Sequence, residues 1–188
     1  MDILFLIYNL SWIIWILLEI WLFMRERKKV DKSEDRNTRR TNIVSVVLAI
    51  VIGYLFINVK YFRIIGSFNS RLIIAIIVIW IGLVLRFWAV QTLGKFFRTT
   101  VMIQKGHQVI KNGPYRYARH PSYTGLLLTT IGVAIGMNNW IGLILMVFIV
   151  FVALQKRIIL EEKVLQKSLG EDYQSYIKNT KRLIPFIY

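Results

Sequence analysis

The chain has 188 residues, of which 56% are hydrophobic, and a formal net charge of +15 at pH 7. Its mean hydropathy is +0.53 and its apolar residues come in long runs, which argues against an ordinary soluble domain. The chain has no cysteine, which excludes disulfides, thiolate catalysis and cysteine-based metal sites. Its two histidines lie in one connection and are too few for a histidine-rich metal site, so no metal is expected.

Five apolar runs predict membrane helices. A helix needs about 20 mainly apolar residues to cross a hydrocarbon core roughly 30 Å thick. The predicted membrane helices are Ile3–Met24, Ile43–Val59, Leu72–Val90, Tyr123–Met137 and Trp140–Leu154. Basic residues follow the first run and do not precede it, so it is expected to be an uncleaved anchor and not a signal peptide. We predict an all-α integral membrane protein with about five transmembrane helices, the last two of which form a short helical hairpin.

The positive charge is distributed unevenly among the connections between these helices. Arg25–Arg40 carries eight Lys or Arg, Lys60–Arg71 three, Lys95–Arg119 six and the tail from Lys156 seven, whereas the Asn138–Asn139 turn carries none. This alternation follows the positive-inside rule for five crossings, with the N-terminus outside and the C-terminus inside. Topology and contact with anionic lipid account for the charge, so no nucleic-acid partner is expected.

The chain is expected to form one membrane-embedded domain, residues 1–188, with two parts. Residues 1–94 form a three-helix scaffold, and residues 95–188 form a connector, the helical hairpin and a C-terminal tail. The fifth helix has no helix-breaking residue before Gly170, so it is predicted to extend into the cytoplasm, followed by an amphipathic helix at Glu171–Asn179. The apolar segment Leu183–Ile187 is expected to fold back against the membrane surface.

Ionisable and aromatic residues are concentrated at the edges of the fourth and fifth apolar runs. Arg157 and Glu161 are four residues apart and share one helix face. Taken singly, these residues fit a structural role: a solvated ion pair, a polar helix start at His120, and contacts of Arg116 and Arg119 with lipid phosphate. Together they indicate a polar site at one membrane face, because ionisable groups at the hydrocarbon edge are costly unless paired or used.

Two segments resemble the isoprenylcysteine carboxyl methyltransferase family. The first reads GPYRYARHPSYTG from Gly113 and the second RIILEEKVLQKSLGEDYQSY from Arg157, with the hairpin between them. The resemblance covers His107–Ile187, whereas the first three helices carry no signature that we identify. It implies an integral membrane methyltransferase that uses S-adenosylmethionine and methylates the carboxylate of an isoprenylcysteine-like, membrane-borne acceptor.

The resemblance also implies which residues form the site. The implied cofactor-binding residues are His107, Gln108, Val109, Ile110, Tyr115, His120, Pro121, Ser122, Tyr123 and Glu161. Arg157 is implied to bind the reacting carboxylate of the acceptor. Arg157, Glu161 and His120 together are the implied catalytic residues.

The residue types suit this chemistry. The cofactor is a zwitterion with a sulfonium cation and needs both anionic and cationic partners. A carboxylate acceptor, with a pKa of about 4, is ionised at neutral pH and needs no general base. An arginine can orient it through two parallel hydrogen bonds. A phenol or amine acceptor would instead have to lose a proton, and His120 or a glutamate is the candidate base.

Two alternatives stay open at this point. One is O- or N-methylation of a lipid, at a phenol oxygen or a phospholipid amine. The lysine- and isoleucine-rich, cysteine-free composition favours a bacterial cytoplasmic membrane, where prenylated proteins are not expected, and this favours the lipid alternative. The other is a non-enzymatic membrane subunit or carrier, which would not depend on Glu161 or His120. In the enzyme, we expect the acceptor to reach the site from the bilayer between the hairpin and the third helix.

Overall fold

The computed structural model describes residues 2–27, 36–64, 66–97 and 108–185. In these ranges the chain forms the helices α1 (Ile3–Arg27), α2 (Arg36–Phe56), α3 (Phe68–Leu93), α4 (Pro121–Gly136) and α5 (Trp140–Asn179). Each predicted apolar run corresponds to one of these helices. α2 begins seven residues before its predicted start and α5 continues past Leu154 to Asn179, whereas the other ends differ by a few residues. The all-α fold class is therefore confirmed.

The outer faces of the bundle are apolar. Large side chains such as Leu17, Val84 and Phe148 are 58%, 61% and 62% exposed. Continuous apolar surface of this kind is stable when lipid covers it. Among the described residues, three segments are long and apolar enough to cross a bilayer: Ile3–Leu22, Phe68–Phe96 and Trp140–Asn179. Two further apolar helices in this part of the chain are shorter, Thr41–Phe56 and Pro121–Gly136. The protein is a multi-pass integral membrane protein, and five crossings remain a prediction.

Glycines allow α3 and α4 to pack closely, in the most extensive helix contact of the described chain. A Cβ on Gly82 would lie 2.6 Å from the carbonyl oxygen of Gly125, and a Cβ on Gly125 would lie 2.7 Å from the carbonyl oxygen of Gly82. Small residues are what lets two membrane helices approach this closely. The expected acceptor route between the hairpin and the third helix is therefore closed along this contact.

The two N-terminal helices pack on different neighbours. α1 packs against α3 and α4, whereas α2 packs against α5. The hydroxyl of Tyr8 in α1 donates to the carbonyl oxygen of Val133 in α4 at 2.8 Å. The amide of Asn139, before α5, donates to the carbonyl oxygen of Val59, after α2, at 3.1 Å. Such bonds satisfy polar groups that lipid cannot satisfy.

α5 is longer than a bilayer is thick. Its part before the kink at Gly170, residues 140–169, spans about 45 Å at 1.5 Å per residue, roughly one and a half times the thickness of a typical hydrocarbon core. The helix continues past the apolar segment Trp140–Leu154 to Gly170, whose φ of 56° and ψ of −129° introduce a kink. Glycine adopts this positive φ without a steric penalty. The predicted extension and the short helix after Gly170 are present, and their cytoplasmic location remains a prediction.

Candidate active site

A cavity of about 410 Å³ lies at one end of the helix bundle, a volume within the range of roughly 300–1,000 Å³ typical of ligand sites. All five helices and the connector before α4 contribute to it. The polar residues that line it are Glu19, Asn42, Arg86, Gln108, Tyr115, Arg119, His120, Ser122, Tyr123, Arg157, Glu161, Tyr173 and Tyr176. The apolar residues are Trp15, Ile16, Ile20, Ile43, Val46, Val47, Ile50, Leu93, Phe96, Phe97, Val109, Ile110, Leu126, Val164, Leu165 and Leu169.

A tyrosine hydroxyl joins the two charged residues that were predicted to share a face of α5. The hydroxyl of Tyr123, in the first turn of α4, accepts a hydrogen bond from Nε of Arg157 at 2.6 Å. It donates one to Oε2 of Glu161, also at 2.6 Å. The guanidinium carbon of Arg157 lies 5.8 Å from the centre of the Tyr123 ring. Because its hydroxyl is bonded on both sides, Tyr123 fixes the orientation of the cation and the anion at the cavity wall.

Glu162 is the centre of a second, buried ionic network. Its Oε1 accepts a hydrogen bond from Nε of Arg119 at 2.8 Å and lies 3.3 Å from Nε2 of His120. Its Oε2 accepts a hydrogen bond from Nε of Arg182 at 3.0 Å. The expectation that Arg119 contacts lipid phosphate is wrong, because its side chain is 8% exposed and is paired with Glu162. Arg116 is exposed.

This network lowers the pKa of Glu162, which lies beyond the apolar segment Trp140–Leu154. Burial alone would raise the pKa of the carboxyl group. Hydrogen bonds from His120, Arg182 and Arg119 outweigh burial and lower the pKa from 4.5 to about 2. Glu162 is therefore a carboxylate at neutral pH, and it forms ion pairs with Arg119 and Arg182.

The C-terminal segment packs behind this network. The backbone N–H of Arg119 donates to the carbonyl oxygen of Lys181 at 2.8 Å, and a second such bond follows at the next residue of each segment. The hydroxyl of Thr124 donates to the carbonyl oxygen of Leu183 at 2.8 Å, and Leu183 is buried. Leu183 therefore packs inside the protein, whereas Ile184 is 47% exposed and residues 186–188 lie outside the described residues. The expected return of this segment to the membrane surface remains a prediction.

Most of the site residues predicted from the sequence meet at the cavity. Those that line it are Gln108, Val109, Ile110, Tyr115, His120, Ser122, Tyr123, Arg157 and Glu161. Pro121 is the buried first residue of α4, where it begins the helix, and it is not part of the lining. His107 lies outside the described residues.

Other lining residues were not predicted. The hydroxyl of Tyr176 donates to the carbonyl oxygen of Tyr115 at 2.6 Å and so holds the connector in place. Tyr173 and Tyr176 are three residues apart and therefore lie on the same face of an amphipathic helix. This spacing is the sequence pattern from which their shared position could have been predicted. Glu19 and Arg86 also line the cavity. They are charged residues inside apolar runs, a pattern that indicates functional sites in membrane helices.

Comparison with known proteins identifies the family. The family model described as the isoprenylcysteine carboxyl methyltransferase (ICMT) family matches residues 72–167. The chain belongs to this family. A probable protein-S-isoprenylcysteine O-methyltransferase of Oryza sativa subsp. indica is 30% identical over 116 residues, which are 61% of this chain and 61% of the rice protein. Protein-S-isoprenylcysteine O-methyltransferase B of Arabidopsis thaliana is 29% identical over 147 residues, 77% of this chain and 72% of that protein.

The fold also matches a solved structure of the eukaryotic intramembrane Ras methyltransferase ICMT, determined without a monobody. The TM-score is 0.64 at 23% identity, over 87% of this chain and 56% of that chain. At this identity the likeness shows the fold alone. The chain thus spans about three fifths of the rice relative and just over half of the solved chain. The ICMT family model begins within α3, so α1 and α2 lie outside the matched region.

Proposed function

We propose that the protein is an S-adenosylmethionine-dependent methyltransferase that methylates a carboxylate on a hydrophobic, membrane-borne acceptor. The observation that carries this proposal is the Arg157–Tyr123–Glu161 array, which lies in a cavity with one polar and one apolar wall. Family membership supports methyl transfer, because the rice and Arabidopsis relatives are named as protein-S-isoprenylcysteine O-methyltransferases.

The polar end of the cavity has groups that suit S-adenosylmethionine, which when bound supplies an electrophilic methyl group on a sulfonium cation. Glu161 offers a carboxylate to the cationic parts of the cofactor. Burial and the nearby charge of Glu161 raise the pKa of Tyr115, so its hydroxyl stays protonated and can donate a hydrogen bond. Apolar and aromatic surface suited to an adenine ring is provided by Val164, Leu165, Leu169 and Tyr173.

Arg157 is the residue that would hold the acceptor carboxylate. A guanidinium group is planar and binds a carboxylate through two parallel hydrogen bonds. The bond from Nε of Arg157 to Tyr123 sets the plane of this group before an acceptor binds. The carboxylate is already ionised at neutral pH, so no residue has to remove a proton. The apolar walls from α1 and α2 exclude water that would otherwise solvate the carboxylate.

The alternatives are supported less well. A lipid phenol or amine would have to lose a proton, and His120 was the candidate base. Nε2 of His120 faces Glu162 at 3.3 Å, and its ring stacks on Tyr123 with 5.5 Å between the ring centroids. His120 is thus engaged within the protein. A non-enzymatic subunit or carrier is not favoured either, because the relatives are named as methyltransferases.

We infer that the acceptor reaches the cavity from the bilayer between α1 and α2. Ile20 of α1 and Ile43 and Val47 of α2 line the cavity, and they are also 46%, 45% and 56% exposed. Large apolar residues therefore border both the cavity and the lipid on this side. The tail of a hydrophobic acceptor can pass there without losing polar contacts, because it exchanges one apolar environment for another.

The positive-inside rule supports a site at the cytoplasmic face. The cavity is lined by the ends of α1 and α3 and the starts of α2 and α4, which adjoin the segments richest in Lys and Arg. This orientation places the N-terminus outside and the C-terminus inside. The composition favours a bacterial cytoplasmic membrane as the location.

Methyl transfer to three acceptors tests the proposed reaction. The full-length protein in lipid nanodiscs is given S-adenosylmethionine with a labelled methyl group and an S-farnesylcysteine derivative, a polyprenyl phenol or phosphatidylethanolamine. A carboxyl methyl ester releases methanol in alkali, whereas ethers and N-methyl groups do not. We expect alkali-labile label in the farnesylcysteine derivative only. Alkali-stable label in either lipid would replace the carboxylate acceptor with the lipid alternative, and no label in any acceptor would contradict the proposed reaction.

A further inference from the structure

An ion pair joins α1 to α3 at the cavity. The carboxylate of Glu19 in α1 is paired with the guanidinium of Arg86 in α3, and both residues line the cavity. The side chain of Arg86 is 6% exposed and that of Glu19 is 29% exposed. A buried charged group raises the free energy of the folded state unless an opposite charge pairs with it. Glu19 and Arg86 therefore have to pair when the helices assemble.

Arg86 also contacts the first turn of α4. Its Nη1 donates to the carbonyl oxygen of Ser122 at 3.1 Å and to the hydroxyl oxygen of Ser122 at 3.0 Å. The next residue is Tyr123, whose hydroxyl bonds both Arg157 and Glu161. Consecutive contacts therefore connect the carboxylate of α1 to the residues proposed to bind cofactor and acceptor.

We propose that Glu19 and Arg86 are a positioning pair that holds the first turn of α4 in the conformation that binds S-adenosylmethionine. This inference rests on the proposed function. Glu19 orients the guanidinium so that Nη1 reaches both oxygens of Ser122. Without Glu19, the guanidinium of Arg86 loses the partner that orients it, and we expect its contact with Ser122 to be lost.

A second contact of α1, made with α4 and away from the cavity, provides a control. The hydroxyl of Tyr8 in α1 donates to the carbonyl oxygen of Val133 in α4, and Tyr8 is 5% exposed. Tyr8 attaches α1 to α4, whereas the ion pair attaches α1 to α3, and Tyr8 is not part of the cavity lining. Tyr8→Phe therefore weakens the attachment of α1 without disturbing the first turn of α4.

The experiment measures the Kd of S-adenosylmethionine by calorimetry and the melting temperature of the full-length protein in nanodiscs. The variants are Glu19→Gln, Arg86→Lys and Tyr8→Phe. Lysine at position 86 keeps the charge pair with Glu19, but its compact ammonium cannot reproduce the planar fork that also reaches Ser122. We expect Glu19→Gln and Arg86→Lys to raise the Kd about tenfold or more, and Tyr8→Phe to leave it within about twofold while lowering the melting temperature.

Each outcome decides one question. If the wild-type protein binds S-adenosylmethionine and both cavity variants bind it equally well, the positioning role is contradicted and the proposed function stands. If the loss of affinity in all three variants follows the loss of melting temperature, the pair is a structural tie only and the positioning role is again contradicted. If Glu19→Gln does not fold, Arg86→Lys decides alone. If the folded wild-type protein does not bind S-adenosylmethionine, the proposed function itself fails.

Discussion

The two walls of the cavity are held together by different forces. The wall formed by the connector, α4 and α5 depends on directional bonds, including those that Glu162 makes with Arg119 and Arg182. The wall formed by α1 and α2 is made of aliphatic and aromatic side chains, apart from Glu19 and Asn42. Directional bonds fix atoms to a few tenths of an ångström, as methyl transfer requires. An apolar wall needs only a suitable shape, so many sequences can form it.

This difference explains where the family match lies. The ICMT family model covers residues 72–167, which include most of α3, the whole connector, α4 and the part of α5 that carries Arg157 and Glu161. It includes neither α1 nor α2. The polar wall, where the bonds are directional, therefore lies largely in the region that the family model matches, and we expect the apolar wall to set the acceptor class.

The largest expected effect is on the polar wall, at Arg157. Arg157→Gln removes the cation proposed to bind the acceptor carboxylate, and we expect kcat/KM for the acceptor to fall roughly 10²-fold or more. The Kd of S-adenosylmethionine should change far less. Lys156→Gln, at the exposed preceding position, is the control and should have near wild-type kinetics. Equal activity of the two variants would mean that Arg157 does not bind the acceptor.

Next in size is the effect of breaking the network at Glu162. Glu162→Gln leaves Arg119 and Arg182 without their counter-ion in a buried position, and we expect a loss of about 3–5 kcal/mol in the free energy of unfolding. Thermal denaturation in detergent measures it. Glu171→Gln, at an exposed acid of the same helix, should change stability by less than about 0.5 kcal/mol. Similar melting curves for the two variants would show that the network contributes little.

The pH dependence of stability gives a second measure of the same network. The pKa of Glu162 is about 2 in the folded protein and 4.5 in the unfolded chain, so the folded state favours the charged form. The resulting stabilisation, about 3 kcal/mol, is fully present above pH 4.5 and is lost as the pH falls toward 2. The stability difference between wild type and Glu162→Gln should therefore shrink over this range. A difference that stays constant down to pH 2 would contradict the lowered pKa.

A smaller effect is expected on the apolar wall. Val46→Trp places a large side chain in the cavity wall of α2, and we expect the acceptor KM to rise about tenfold with an unchanged Kd for S-adenosylmethionine. Val44→Trp, on the 54% exposed outer face of the same helix, is the control. If Val46→Trp weakens cofactor and acceptor equally, the division of the cavity into a polar and an apolar part is wrong.

The helices and the polar motif could be predicted because both depend on local sequence. Apolar runs determine where membrane helices form, and a spacing of four residues places Arg157 and Glu161 on one face. The position of the Tyr123 hydroxyl between them could not be predicted, since it depends on how α4 packs on α5. The pairing of Glu19 with Arg86, 67 residues apart, likewise depends on the packing of α1 against α3.

Two expectations were wrong for identifiable physical reasons. A basic residue beside a membrane helix, such as Arg119, can pair with lipid phosphate or with an acidic side chain of the protein, and the sequence does not distinguish these. The packing of α5 against the segment before α4 brings Glu162 to Arg119, and the two side chains pair inside the protein. The acceptor route was placed beside α3 although Gly82 and Gly125 are small residues of the kind that close helix contacts. That signal was present in the sequence.

The measurement that tests the central claim most directly is the binding of S-adenosylmethionine to the full-length protein in nanodiscs, by calorimetry. Glu161→Gln removes the charge at the cavity wall, and Glu171→Gln removes the same charge from an exposed position beyond the kink in α5. We predict saturable binding by the wild type and by Glu171→Gln, and a Kd raised about tenfold or more by Glu161→Gln. No binding by folded wild-type protein, or equal affinity in all three proteins, would contradict a cofactor site at the polar wall.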